Sequence, residues 1–198
     1  MFKWMLAVVA FCGVIAASCV TTPGGTPPTP DHPLWACGDS VAFEMAVAMA
    51  SKPYTCGGGG TGFNDYAPLG KTVDFVIDQL DDGGPWTPEL MIVMGGTNGA
   101  VHTTVADQIN GMLEFETAVQ SRGIPVRWVA NPAQGWAHLI DPLSDWLLAN
   151  RPDTIDCRGQ AVGFRDGVHM TKTANQWFAN CVNDALPEHL QVRPPIQP

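Results

Sequence analysis

The sequence predicts an α/β domain in which a parallel sheet of about five strands is covered by helices on both faces. Short apolar runs alternate with helical patterns along the chain, and this strand-helix order repeats about five times. The run at 90–94, LMIVM, is continuously apolar, which is typical of a buried parallel strand. The chain has 198 residues, of which 45% are hydrophobic, and this suits one domain with a sizeable core.

The same patterns place the individual elements. Helices are predicted at 40–51, 73–80, 101–119, 138–149 and 174–186, and Ser40 stands where an N-cap residue belongs. Trp177 falls on the apolar stripe of the last helix, so we expect it in the core, whereas Trp136 falls in a loop at the carboxyl edge of the sheet, where its ring could stack on a sugar or an acyl chain. Strands are predicted at 34–37, 53–55, 90–94, 126–129 and 153–155.

The charge balance argues against a nucleic-acid partner. Ten basic residues against nineteen acidic ones give a formal net charge of −9. The chain has no cluster of Lys and Arg, which binding to a phosphate backbone requires.

The N-terminal segment predicts export. Residues 1–18 carry one Lys followed by an apolar run of about thirteen residues, which is typical of a signal peptide and short of the roughly twenty that span a bilayer. The small residues before Cys19 resemble the lipobox of bacterial lipoproteins, which implies a lipid anchor on Cys19; ordinary cleavage near Ser18 is the alternative. Residues 19–33 then form a Pro-rich linker, 34–189 the folded domain and 190–198 a tail.

The cysteines of the domain predict two disulfides. Four cysteines remain after Cys12 and Cys19 are set aside, and four allow three pairings in an exported chain. Proximity in sequence favours Cys37 with Cys56 and Cys157 with Cys181. The chain has neither a C-x-x-C nor an H-x-x-x-H motif, so we expect no zinc site and no other cofactor.

Three short motifs fall at the carboxyl ends of predicted strands, where active sites of parallel sheets collect. Gly38-Asp39-Ser40 puts a hydroxyl at the start of a helix, whose N–H groups stabilise negative charge. Asn98 follows the apolar strand and could donate a hydrogen bond to an oxyanion. Asp166 and His169, three residues apart before the last helix, could supply a base and the group that orients it. Each motif alone could equally be a cap or a turn.

Together and in this order the motifs resemble the SGNH (GDSL-type) hydrolase family, over nearly the whole domain. The resemblance implies a flavodoxin-like three-layer α/β/α sandwich, with Ser40 as nucleophile, His169 as general base and Asp166 as its orienting partner. It also implies an oxyanion hole made of the Ser40 N–H, the Asn98 side chain and a glycine N–H, for which we favour Gly60 within 57–62. At position 99 the sequence has Gly where the family usually has Asp. This difference bears on how the Asn98 side chain is held and not on its expected role.

The resemblance implies a carboxylic-ester hydrolase acting on a lipid or an O-acylated glycan, and we expect a monomer. An O-acyltransferase of the same fold is the alternative, because an acyl-enzyme does not dictate its acceptor. A non-catalytic glycan-binding module is a further alternative, but it would predict the loss of a catalytic residue, whereas each motif of this sequence keeps its catalytic residue. The α/β-hydrolase class also has the order Ser, Asp, His, but several strands precede its nucleophile, whereas one short strand precedes Ser40.

Overall fold

The sheet is parallel and lies in the middle of the domain. A computed structural model of the protein describes residues 33–56, 87–97 and 103–191. Within these ranges four strands are hydrogen-bonded in the order β2-β1-β3-β4, and a parallel bridge between Val129 and Ile155 lies beyond β4, where a fifth strand was predicted. The strands are β1 (Leu34–Gly38), β2 (Tyr54–Cys56), β3 (Leu90–Met94) and β4 (Val126–Trp128).

Helices cover both faces of this sheet, which confirms the predicted fold class. Side chains alternate along each strand, so β1 sends Leu34 and Ala36 into one apolar cluster and Trp35 and Cys37 into the other. The first cluster includes residues of α1 and α4, and the second includes residues of α2 and α3. The helices are α1 (Ser40–Ala48), α2 (Val105–Gln120), α3 (Ala137–Asn150) and α4 (Lys172–Asp184), and the predicted helix at 73–80 lies outside the described residues.

Two of the local predictions are wrong. Ser40 is the first residue of α1 and not its N-cap; Asp39 is the cap, because its carboxylate accepts the N–H of Val41. Trp177 is 49% exposed and not in the core. The buried stripe of α4 runs through Ala174, Phe178 and Val182, and Trp177 lies beside it, about 100° from Phe178 around the helix.

The turn between β1 and α1 requires a glycine. Gly38 has φ +149° and pairs with Met94 of β3. A Cβ on Gly38 would lie 1.8 Å from the carbonyl oxygen of Met94, which no side chain could tolerate. The close approach of the two strands therefore explains the first residue of the Gly38-Asp39-Ser40 motif.

Disulfides join both pairs of cysteines that sequence proximity favours. Cys37 and Cys56 are register partners on β1 and β2, with Cα atoms 4.5 Å apart. Cys157 and Cys181 have Cα atoms 5.9 Å apart and link the segment after Ile155 to α4. None of the helices in the described ranges is long and apolar enough to cross a membrane.

Candidate active site

Ser40 is presented at the carboxyl edge of the sheet by the turn that ends β1. Because Ser40 is the first residue of α1, its backbone N–H has no acceptor within the helix. The positive end of the helix dipole therefore lies beside the Ser40 hydroxyl, and a negative charge that develops there is stabilised.

His169 and Asp166 lie on the loop that leads into α4. The carboxylate of Asp166 accepts the N–H of Val168 at 3.0 Å and the N–H of His169 at 2.7 Å, both through Oδ1. Its other oxygen, Oδ2, lies 2.7 Å from Nδ1 of the His169 ring. One carboxylate thus fixes both the backbone of the loop and the orientation of the imidazole.

The structure brings Ser40, His169 and Asp166 into one hydrogen-bonded chain. The Ser40 Oγ lies 2.9 Å from Nε2 of His169, although the two residues are 129 positions apart in sequence. A carboxylate only accepts hydrogen bonds, so Nδ1 of His169 carries a proton and donates a hydrogen bond to Asp166. Nε2 is then free of a proton and can accept the proton of the Ser40 hydroxyl, which is the arrangement a serine nucleophile requires.

Asp166 is held in its charged form. Its hydrogen bond from the His169 backbone, helped by those from the His169 ring and the Val168 N–H, lowers the pKa of Asp166 to about 2. The side chain is 51% exposed, so water also solvates the charge. Asp166 therefore stays ionised near neutral pH.

A backbone contact holds the loop that carries Asp166 and His169 against the segment that follows β4. The carbonyl oxygen of Gly167 accepts the N–H of Gln134 at 3.1 Å and the N–H of Gly135 at 2.9 Å. A Cβ on Gly135 would lie 3.2 Å from the Cα of Gly167, so the two backbones touch where glycines meet. The position of His169 therefore depends on residues 131–135 as well as on its own loop.

A buried polar network lies beneath Ser40, and the sequence patterns did not predict it. Asp39, only 5% exposed, accepts the N–H of Thr97 through Oδ2 at 3.1 Å, and burial raises its pKa. The Asn131 amide donates to the Thr97 hydroxyl, and the Asn131 backbone N–H donates to the Ser144 hydroxyl at 3.1 Å. The network thus joins the ends of β1, β3 and β4 to α3.

The one sequence signal for this network is position. Thr97 and Asn131 are polar residues just beyond apolar strands, where a side chain reaches the same edge of the sheet as Ser40. Nothing in the pattern shows that Thr97 and Asn131 bond to each other, because the two residues are 34 positions apart in sequence.

Comparison with solved structures shows the same architecture in several proteins. An acylhydrolase from Bacteroides fragilis superposes with a TM-score of 0.59 at 17% identity, over 83% of this chain and 92% of that one. A member of the lipolytic G-D-S-L family from Veillonella parvula gives a TM-score of 0.60 at 12% identity, over 76% of this chain and 96% of that one. A carbohydrate esterase of family 3 from Talaromyces cellulolyticus gives a TM-score of 0.57 at 15% identity, over 79% of this chain and 97% of that one.

This chain has the SGNH (GDSL-type) hydrolase fold. The finding is structural, since no protein-family model and no curated protein matches the sequence. In this chain, Ser40 follows β1, the first strand of the described ranges, and Asp166 and His169 precede α4.

Several residues predicted for the site lie outside the described part of the chain. Asn98 and Gly60, the expected oxyanion donors, are among them, as is the expected lipidation site Cys19. Thr97 is the last described residue before Asn98, and it is 1% exposed and bonded to Asp39. Position 98 therefore follows directly from a residue that is anchored to the base of the site.

A cleft of about 440 Å³ opens near the segment that precedes Asp166. Its lining includes Asp141, near the start of α3, and Phe164, two residues before Asp166. Asp156 and Arg158, which follow the Val129–Ile155 bridge, also line it. In the described residues, no group of three or more His, Cys, Asp and Glu side chains could hold a metal ion.

Proposed function

We propose that this chain is a serine esterase that hydrolyses acyl esters through an acyl-enzyme on Ser40. The observation that carries the proposal is the continuous hydrogen-bonded chain from the Ser40 Oγ through the His169 ring to Asp166, with distances of 2.9 and 2.7 Å. The shared fold with acylhydrolases and esterases supports it.

In the first half of the reaction, the Ser40 oxygen attacks the acyl carbonyl carbon while its proton passes to Nε2 of His169. The carbonyl oxygen becomes an oxyanion, which the Ser40 backbone N–H can stabilise together with the proposed donors Asn98 and Gly60. The protonated His169 then gives its proton to the leaving alcohol oxygen as the ester C–O bond breaks. The products are free alcohol and acylated Ser40.

In the second half, a water molecule repeats the attack on the acyl carbon. His169 takes one proton of the water, and the tetrahedral intermediate collapses with the Ser40 oxygen as leaving group. That oxygen recovers the proton from His169, and the free acid leaves. Asp166 keeps its charge throughout and stabilises the imidazolium that forms twice in each cycle.

The proposed location of the enzyme is outside the cytoplasm. Two disulfides are typical of proteins that fold in an oxidising compartment. The signal-peptide pattern at 1–18 and the lipobox-like Cys19 point to a membrane anchor, for which a multiply acylated Cys19 is needed, since one chain binds only marginally. Mass spectrometry of the exported protein tests this part, and an unmodified Cys19 contradicts it.

A panel of acyl esters, assayed with and without a sugar acceptor, tests the activity. We expect release of free acid, with loss of turnover in the Ser40→Ala variant. Transfer of the acyl group to the acceptor in preference to water would instead favour an acyltransferase. Asn98→Ala should lower kcat by roughly 10²–10³-fold and leave measurable activity, because other oxyanion donors remain.

A further inference from the structure

Backbone bonds close the neck of the loop that carries Asp166 and His169. The N–H of Arg165 donates to the carbonyl oxygen of His169 at 2.9 Å. One residue further out on each side, Phe164 and Met170 form an antiparallel bridge. Arg165 and His169 therefore lie side by side where the loop begins and ends, and a shift of one is passed on to the other.

The helix that carries Ser40 contacts both ends of this neck. Ser40 and Glu44 are four residues apart on α1, so their side chains leave the same face about one turn apart. The Ser40 Oγ lies 2.9 Å from Nε2 of His169, and the Glu44 carboxylate forms an ion pair with the Arg165 guanidinium. Two successive turns of α1 are thus bonded to the two ends of one loop.

Glu44 is also fixed from the side of α4, the helix that follows the loop. The Asn175 side-chain amide donates to the backbone carbonyl oxygen of Glu44 at 2.8 Å, and the amide of the next residue, Gln176, donates to the carbonyl oxygen of Ala48 at 3.0 Å. These bonds align α4 with α1 at the turn from which the Glu44 carboxylate reaches the loop. Glu44 is therefore a fixed point against which Arg165 can be placed.

The ion pair is better suited to setting geometry than to stabilising the fold. The Arg165 side chain is 55% exposed and that of Glu44 is 28% exposed, and ion pairs that water reaches add little to stability. Catalysis is more sensitive to position, because a displacement of about 1 Å in a reacting group can cost roughly 10²-fold in rate.

We propose that Glu44 and Arg165 are positioning residues, whose ion pair keeps Nε2 of His169 within hydrogen-bond distance of the Ser40 hydroxyl. Neither side chain takes part in the chemistry; both act through His169. The inference rests on the proposed esterase function and adds to it two residues outside the three motifs that point to the site.

The test measures kcat and KM for p-nitrophenyl acetate in Glu44→Gln and Arg165→Gln. Each variant removes one charge of the pair, so the loop is free to shift along α1, and we expect kcat to fall about tenfold with KM unchanged. Arg165→Lys keeps the positive charge and should retain most of the activity.

A second ion pair supplies the matched control. Arg151, which follows α3, pairs with Glu116 of α2, with Nη2 2.8 Å from Oε2. Its side chains are 30% and 14% exposed, so it is the more buried of the two pairs. Glu116→Gln and Arg151→Gln should therefore lower the urea midpoint at least as far as the variants at 44 and 165, yet leave kcat unchanged.

A double substitution separates positioning from a general structural role. If Glu44 acts through His169, adding Glu44→Gln to His169→Ala should leave the residual rate of ester hydrolysis unchanged. Glu44→Gln combined with Arg165→Gln should likewise lower kcat no further than either substitution alone, because the pair is already broken.

The outcomes separate the positioning role from the proposed function. No Ser40-dependent hydrolysis of any ester overturns the proposed function, and the positioning role with it. Ser40-dependent hydrolysis with kcat unchanged in both Glu44→Gln and Arg165→Gln overturns the positioning role alone. A loss in Glu44→Gln that persists in the His169→Ala background overturns it too, as does a change confined to KM in Arg165→Gln, which would assign the guanidinium to substrate binding.

Discussion

Asp39 directly precedes Ser40 in the chain, whereas Asp166 is linked to Ser40 through the His169 ring, and the two carboxyls show how differently one side chain can be used at one site. Asp166 is half exposed on a loop, and hydrogen bonds lower its pKa to about 2. Asp39 is buried at the end of β1, and burial raises its pKa. Asp166 contacts the His169 ring directly, whereas Asp39 holds Thr97 and the first turn of α1 in place. Asp166 is thus proposed to take part in the chemistry, and Asp39 to support the residues around Ser40.

Of the substitutions at Asp39, Asp166 and the neighbour of Asp166, His169→Ala should lower kcat the most. Removing the ring leaves Ser40 without a base, and nucleophile and base act as a unit, so kcat should fall on the order of 10⁴-fold or more. Steady-state hydrolysis of an activated ester measures it, with far-UV circular dichroism as the control for folding. A folded variant that loses less than tenfold would place the base elsewhere.

Asp166→Asn should have a smaller effect than the loss of His169. The amide can still accept the backbone N–H groups of the loop, but its NH₂ group cannot stabilise the imidazolium, so we expect kcat to fall by roughly 10³–10⁴-fold, between the loss of one oxyanion donor and the loss of the base. The same ester assay measures it. Retention of more than a tenth of the activity would mean that another acceptor orients His169.

Asp39→Asn should act mainly on stability. The two carboxylate oxygens of Asp39 accept the N–H groups of Val41 and Thr97. In the amide one of these oxygens becomes an NH₂ group, which cannot accept, so one of the two buried N–H donors loses its partner. We expect the free energy of unfolding in urea to fall by about 1–3 kcal/mol. An unchanged midpoint would show that the network beneath Ser40 does not support the fold.

The pH dependence of stability should differ in sign between the two carboxyls, and this is the smallest effect. The pKa of Asp166 is depressed, so its contribution to stability is present above about pH 4 and is lost as the pH falls towards 2. The pKa of Asp39 is raised, so its ionisation weakens the fold as the pH rises above its unfolded value of 3.8. Urea titrations of the unmodified protein, Asp166→Asn and Asp39→Asn across this range measure it, and parallel curves would contradict it.

The sequence pointed to Ser40, Asp166 and His169 only through three motifs in a particular order, and the structure brings these side chains together. It also indicated the central strands, because β1 and β3 are apolar throughout where both faces of the sheet are covered. The bond from Asn131 to Thr97 depends on the register of β3 against β4, which no local pattern encodes.

The errors at α1 and α4 have local physical causes. Ser and Asp are equally good caps, so the Gly38-Asp39-Ser40 motif alone does not show which of the two precedes the helix. Trp177 lies only three positions from Ala174, and a three-residue step is near enough to a helical turn for an exposed residue to look buried. In both cases tertiary packing decided between alternatives of nearly equal local energy.

The turnover of Ser40→Ala shows whether the Ser40 hydroxyl is the nucleophile. The substitution removes one oxygen atom at the first position of α1 and leaves Asp39, His169 and Asp166 intact, so the fold and the buried network should persist. We expect a folded protein whose esterase activity is lower by on the order of 10⁴-fold or more. A folded Ser40→Ala variant with full turnover would contradict this expectation and place the active site elsewhere on the domain.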